Sequence, residues 1–189
     1  MILAVDIGNT NIVVGCIDGD RICFVERLST VSTRTELEYA ISFKNVLELY
    51  DIHFSRLEGG IISSVVPPVT NIVKRSVEKV LGKEVMVVGP GVKTGLSIIM
   101  VNPREVGSDR SVNAVAVVHE YPVPAAIIDM GTATTICVVD EKKNYIGGAI
   151  IPGMRIAADT LTARTAQLPK ISLEPPARLI GKNTIDCMK

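Results

Sequence analysis

Cysteine and histidine are scarce. The chain has four cysteines, Cys16, Cys23, Cys137 and Cys187, and two histidines, His53 and His119. No pair has metal-finger spacing, which excludes a structural zinc site. Cysteines this few and scattered, mostly in apolar strand-like segments, read as free buried thiols in a reducing compartment. Each histidine reads as a surface or capping residue. Net charge is missing too, because 20 basic and 20 acidic side chains cancel. That removes any global electrostatic reason to propose nucleic acid as a partner. Apolar runs stop well short of the roughly 20 residues a membrane-spanning helix needs, and Met1 leads into a strand without a basic leader. Neither a membrane anchor nor a secretory signal is expected.

What is present is apolar material and a repeated phrase. The 189 residues are 47% hydrophobic, enough to bury a core in one large domain or two small ones and too apolar for a disordered chain. Asp6-Ile7-Gly8-Asn9-Thr10-Asn11 follows the apolar run Ile2-Leu3-Ala4-Val5, and Asp129-Met130-Gly131-Thr132-Ala133-Thr134 follows Ala125-Ala126-Ile127-Ile128. Both return to β-branched residues, so each reads as strand, polar hairpin tip, strand. Gly8 and Gly131 let a ligand approach the backbone, and exposed N–H groups with Thr and Asn side chains suit phosphate oxygens. The acid at each strand end suits a hard cation such as magnesium. A further strand follows each copy, after Asp18-Gly19-Asp20 in the first and after the polar turn 140–144 in the second. Each half thus opens with a three-stranded meander, and two such halves would place both tips around one nucleotide.

Between the hairpins helix and strand alternate. Residues 34–50 predict an amphipathic helix introduced by Ser/Thr caps between Thr30 and Thr35. Residues 60–66 predict a strand stopped by Pro67-Pro68, 69–81 a helix ending at Gly82, and 84–88 a further strand. Glycines mark a loop at 89–95, a helix is expected over 104–121, and Tyr121-Pro122-Val123-Pro124 is the expected boundary between lobes 1–121 and 122–189. Gly147-Gly148 and Pro152-Gly153 read as a strand end and a turn opening a helix over Met154–Arg164, or as space for the nucleotide or the substrate beside the cleft. Gly181-Lys182-Asn183-Thr184 is not a Walker A motif, because Pro176 stands where the earlier glycine is required.

The ordered set of motifs resembles a known family. It comprises Asp6 to Asn11, Asn102-Pro103-Arg104-Glu105-Val106-Gly107-Ser108-Asp109-Arg110, Asp129 to Thr135, Gly147-Gly148-Ala149-Ile150-Ile151-Pro152-Gly153 and Gly181 to Thr184. The halves resemble the actin-like superfamily of sugar kinases, actins and heat-shock chaperones, and the set is similar to type III pantothenate kinase over the whole chain. The resemblance implies an α/β fold of duplicated ribonuclease H-like (actin-like ATPase) domains, with mixed sheets and helical crossovers. It implies ATP-dependent phosphorylation of pantothenate, the first step of coenzyme A synthesis, by a cytoplasmic homodimer in which a neighbouring protomer can contribute to the substrate site.

Site roles follow from the same resemblance. Asp109, in the family's Gly-x-Asp-Arg substrate motif, would accept the hydroxyl proton, with Gly107, Ser108, Asp109 and Arg110 binding pantothenate. Asp6 would organise magnesium indirectly, and Asp6, Ile7, Gly8, Asn9, Thr10, Asn11, Ile12 and Val13 would wrap the phosphates, with Thr132 also contacting ATP. Asp129 matches the position that binds a monovalent cation, potassium or ammonium, and Thr184 a substrate contact. Two departures stand out: Met100 occupies the place where the family commonly has a substrate-side tyrosine, and family members continue past Gly-x-Asn-Thr with helices and strands that complete the second lobe. A sugar- or acetate-type kinase, a phosphatase of the same superfamily, and a non-catalytic nucleotide-binding regulator are the alternatives.

Overall fold

The computed structural model describes residues 1–89 and 91–189, so Pro90 of the expected loop lies outside the described residues. The chain divides into two compact units. One comprises Met1–Leu96 and Val101–Ala116, the other Ser97–Met100 and Val117–Lys189.

The first unit is built on β1 (Ile2–Ile7), β2 (Asn11–Asp18), β3 (Arg21–Ser29), β4 (Gly59–Ser64) and β5 (Val85–Val87). Their spatial order is β3-β2-β1-β4-β5, with β1 antiparallel to β2 and parallel to β4. Leu3, Val5 and Ile7 alternate inward along β1, the two-residue period of a strand with one face on a core. They meet α1 (Glu36–Leu49) and α2 (Pro67–Leu81), which supply Tyr39, Phe43 and Leu47, and Val69, Val73 and Val77. Each of these helices is a crossover feeding the next strand of the sheet.

The helix starts differ from the sequence expectation. Thr35 alone caps α1: its hydroxyl accepts from the Glu38 N–H while the Glu38 carboxylate accepts from the Thr35 N–H at 2.7 Å, a capping box. Pro67 and Pro68 do not merely stop β4; they form the first turn of α2, where a missing N–H costs no helical bond. The expected helix over 104–121 breaks at Gly107, leaving a 3-10 turn at Pro103–Glu105 and α3 over Ser108–Glu120.

In the second unit β7 (Ala125–Met130), β8 (Ala133–Val139) and β9 (Asn144–Pro152) form the expected meander, with β6 (Ser97–Ile98) beside β9. α4 (Met154–Arg164) follows, and α5 (Thr184–Cys187) lies near the chain end. Cys16 and Cys137 are buried thiols as expected, whereas Cys187 is exposed and Cys23 half-buried. His53 caps the 3-10 turn Phe54–Arg56, one of the two roles expected for it. Among the described residues no helix is long and apolar enough to cross a membrane.

Candidate active site

The first hairpin tip joins β1 to β2. The Gly8 N–H donates to the Asn11 carbonyl at 2.9 Å and closes the turn, leaving Asn9, Thr10 and Asn11 exposed. Ile7 and Ile12, on either side, are fully buried, so only their backbone can face a ligand. A third strand end braces this tip: the Thr30 N–H donates to the Thr10 carbonyl at 3.0 Å, and the Thr30 hydroxyl to the Gly8 carbonyl at 2.7 Å. Thr30 is thus no helix cap. Its hydroxyl's partner, Gly8, lies 22 residues back in the chain, and no local pattern could have signalled it.

Asp6, next to last in β1, is in register with Ser63 of β4, and the last residue, Ile7, with Ser64. Fastened to that end of β4 is the start of α3. The Ser108 hydroxyl donates to the Ser64 carbonyl at 2.7 Å, accepts from the Ser64 N–H at 3.0 Å, and accepts from the Ser63 hydroxyl at 3.2 Å. Ser64 Oγ in turn bonds Thr70 Oγ1 at 2.7 Å, tying in the first turn of α2. Asp109 therefore occupies the first turn of a helix tethered to the strand ends beside Asp6. A Cβ on Gly107 would collide with Asp109 Oδ1, so glycine there leaves room for the carboxylate to fold back over the turn. Arg110 donates to the Glu105 carbonyl at 3.0 Å, and Asn102 to the Glu105 carboxylate at 2.9 Å. Arg104 is exposed on the 3-10 turn.

In the second unit the other tip, Gly131-Thr132, is one residue shorter than the first: the Gly131 N–H donates to the Ala133 carbonyl at 3.0 Å, and Met130 pairs with Thr134 where Ile7 pairs with Ile12. The chain entering α4 closes on it, with the Gly153 N–H donating to the Thr132 carbonyl at 3.1 Å. A side chain on Gly153 would strike the carbonyls of both Gly131 and Thr132. Asp129 sits on β7 opposite Thr135. Met100 lies beside Gly147 of β9, where a Cβ would approach its sulfur to 3.4 Å. Thr184 opens the four-residue α5, capped by Asn183, with no strand leading into it.

Among the described residues no three His, Cys, Asp or Glu side chains are grouped to hold a metal. Asp6 offers one carboxylate beside an oxygen- and amide-lined tip, a donor set that fits magnesium carried on nucleotide phosphates, since that ion keeps most of its water.

Comparison with known proteins bears on the family and the fold. The chain is 49% identical over 189 residues to a type III pantothenate kinase from an Exiguobacterium species, covering all of this chain and 74% of that protein. Among solved structures, one from Campylobacter jejuni named for the Baf family of transcriptional activators superposes with a TM-score of 0.54 at 17% identity, over 98% of this chain and 71% of that one. One from Sinorhizobium meliloti named for 2-dehydro-3-deoxygalactonokinase gives 0.51 at 13%, over 87% and 57%. These two establish likeness of fold alone, in line with the α/β architecture of mixed sheets and helical crossovers that the resemblance implied. A family model described as type III pantothenate kinase matches residues 2–189, and the chain belongs to the type III pantothenate kinase family.

Proposed function

We propose that this chain transfers the γ-phosphoryl group of ATP to the primary hydroxyl of pantothenate, the opening reaction of coenzyme A synthesis, in the cytoplasm. The observation that carries this reading is the placement of Asp109. The tether from Ser108 to Ser64 sets its helix at the strand ends where Asp6 and the first tip lie. Asp109 takes the hydroxyl proton as the substrate oxygen bonds to phosphorus and the bond to the ADP oxygen breaks. Gly107, Asp109 and Arg110 orient the substrate. Arg110 also braces the preceding turn, which leaves Arg104 as the freer guanidinium to meet charge on the transferred group.

The tip 8–13 wraps the phosphates, chiefly through its backbone, and Thr132 supplies a second contact to ATP. Magnesium, when bound beside Asp6, offsets phosphate charge. Asp129 is assigned a potassium or ammonium ion, and Met100 and Thr184 contacts to pantothenate. Lobes 1–121 and 122–189, and a homodimer, complete the reading.

Release of ADP from ATP, magnesium and potassium should require pantothenate. Asp109→Asn should lose about 10²- to 10⁴-fold in kcat while nucleotide affinity is retained. ADP release without pantothenate would point to a phosphatase instead, and full turnover by the variant would remove Asp109 as the base. Activity indifferent to replacing potassium with sodium would count against the Asp129 assignment.

A further inference from the structure

We propose that Thr30 is a positioning residue for the nucleotide, holding the first phosphate hairpin in its binding shape. The proposal rests on the reading of tip 8–13 as the phosphate site. That tip is closed by the bond from the Gly8 N–H to the Asn11 carbonyl. Thr30 adds two further fixed points, its N–H and hydroxyl engaging the Thr10 and Gly8 carbonyls. The effect on an anion is direct. A carbonyl oxygen turned toward a phosphate repels it, whereas backbone N–H groups attract it. Thr30 holds two tip carbonyls toward itself and so fixes the orientation of the peptide units that carry them.

Thr30 is itself held from the core. The next residue, Val31, donates its N–H to the Tyr39 hydroxyl at 2.9 Å and accepts that hydroxyl's proton at 3.0 Å. The Tyr39 side chain is fully buried, stacks on Phe43 with ring centroids 6.4 Å apart, and carries the Arg34 guanidinium 5.6 Å from its ring centre. A short line of bonds thus runs from α1 through Tyr39, Val31 and Thr30 to the tip. A ligand-binding loop supported in this way is pre-organised, so less ordering remains to be done on binding.

Thr30→Val keeps the side-chain shape and removes the hydroxyl, while Thr30→Ser keeps the hydroxyl. For the intact chain, magnesium-ATP affinity by titration calorimetry, KM for ATP and for pantothenate, and thermal unfolding are measured together. Thr30→Val should weaken magnesium-ATP binding and raise KM for ATP by roughly 3- to 10-fold, the scale of one hydrogen bond. KM for pantothenate should stay put, and Thr30→Ser should behave as the parent. Lower melting temperature with unchanged ATP affinity would mean a purely structural role and overturn the proposal. Should Thr30→Val fail to fold, Tyr39→Phe carries the test: weaker ATP binding supports the brace and unchanged binding overturns it. A parent chain that binds no magnesium-ATP would remove the phosphate-site reading itself, a result distinct from a parent that binds and a variant that matches it.

Discussion

Ser108 shows how one hydroxyl can serve structure where the family resemblance assigned it to substrate. Its hydrogen atom and its lone pairs are directed to Ser63 and Ser64, which leaves little of the group for a ligand. Ser108→Ala should cost about 1 kcal/mol of stability, because the half-buried Ser64 N–H and carbonyl lose their partner. The kcat should fall less than tenfold, since the Ser111 hydroxyl on the Gly107 carbonyl and Arg110 on Glu105 still hold the turn. Unfolding midpoints and steady-state rates test both halves, and a collapse of kcat without loss of stability would return Ser108 to the substrate. None of this was legible in the sequence: Ser64 and Ser108 lie 44 residues apart, and Gly-Ser-Asp-Arg looks the same whether its serine faces inward or outward. Asp109 and the glycine before it could be picked out, because a motif names residue types even when it cannot aim them.

At the scale of elements, the hairpins were readable because a two-residue apolar period beside Gly and Asn admits few alternatives. Helix ends were less so, because Thr30, Thr33 and Thr35 are equally good caps on paper. The structure selects Thr35, whose partner Glu38 stands three residues on. Thr35→Ala should destabilise the protein by about 1 kcal/mol. Glu38 carries a pH signature as well. The Thr35 N–H, and then its hydroxyl, hold the Glu38 carboxyl below its ordinary value of 4.5. The cap's contribution is therefore complete above that value and fades as the pH falls through the lower value of the folded state. In a melting series from neutral pH toward pH 3, Glu38→Gln should lose less stability than the parent; parallel curves would show that the box does not titrate. Helix α1 also carries Tyr39, so a frayed start would loosen the support of the first tip.

Across the whole molecule the buried side chains are unevenly shared. The apolar cluster from Leu3 to Val85 lies entirely in the first unit, whereas Thr134, Cys137, Val139 and Tyr145 are the buried side chains among the described residues of the second. Ile128, Met130 and Ile150 of its sheet are about two-thirds exposed, at 63%, 64% and 62%. Amides of β1 and β4 should outlast those of β7 and β8 in hydrogen exchange, because opening free energy follows buried apolar contact. The reverse order would refute that ranking. Composition foretold enough apolar residues for a core but not their division between units. The Ser108 tether has a last consequence between molecules. Along β4 the Val65 N–H meets β1 at Ile7, while the Ile62 carbonyl meets Val88 on the opposite side. Alternation puts the Ser64 N–H and carbonyl on that same side, beyond the last residue of β5. Left bare, that pair would be an open sheet edge, the kind of template on which a second chain can add a strand and begin an aggregate. A single hydroxyl from the start of α3 takes the place of the absent rung and closes it.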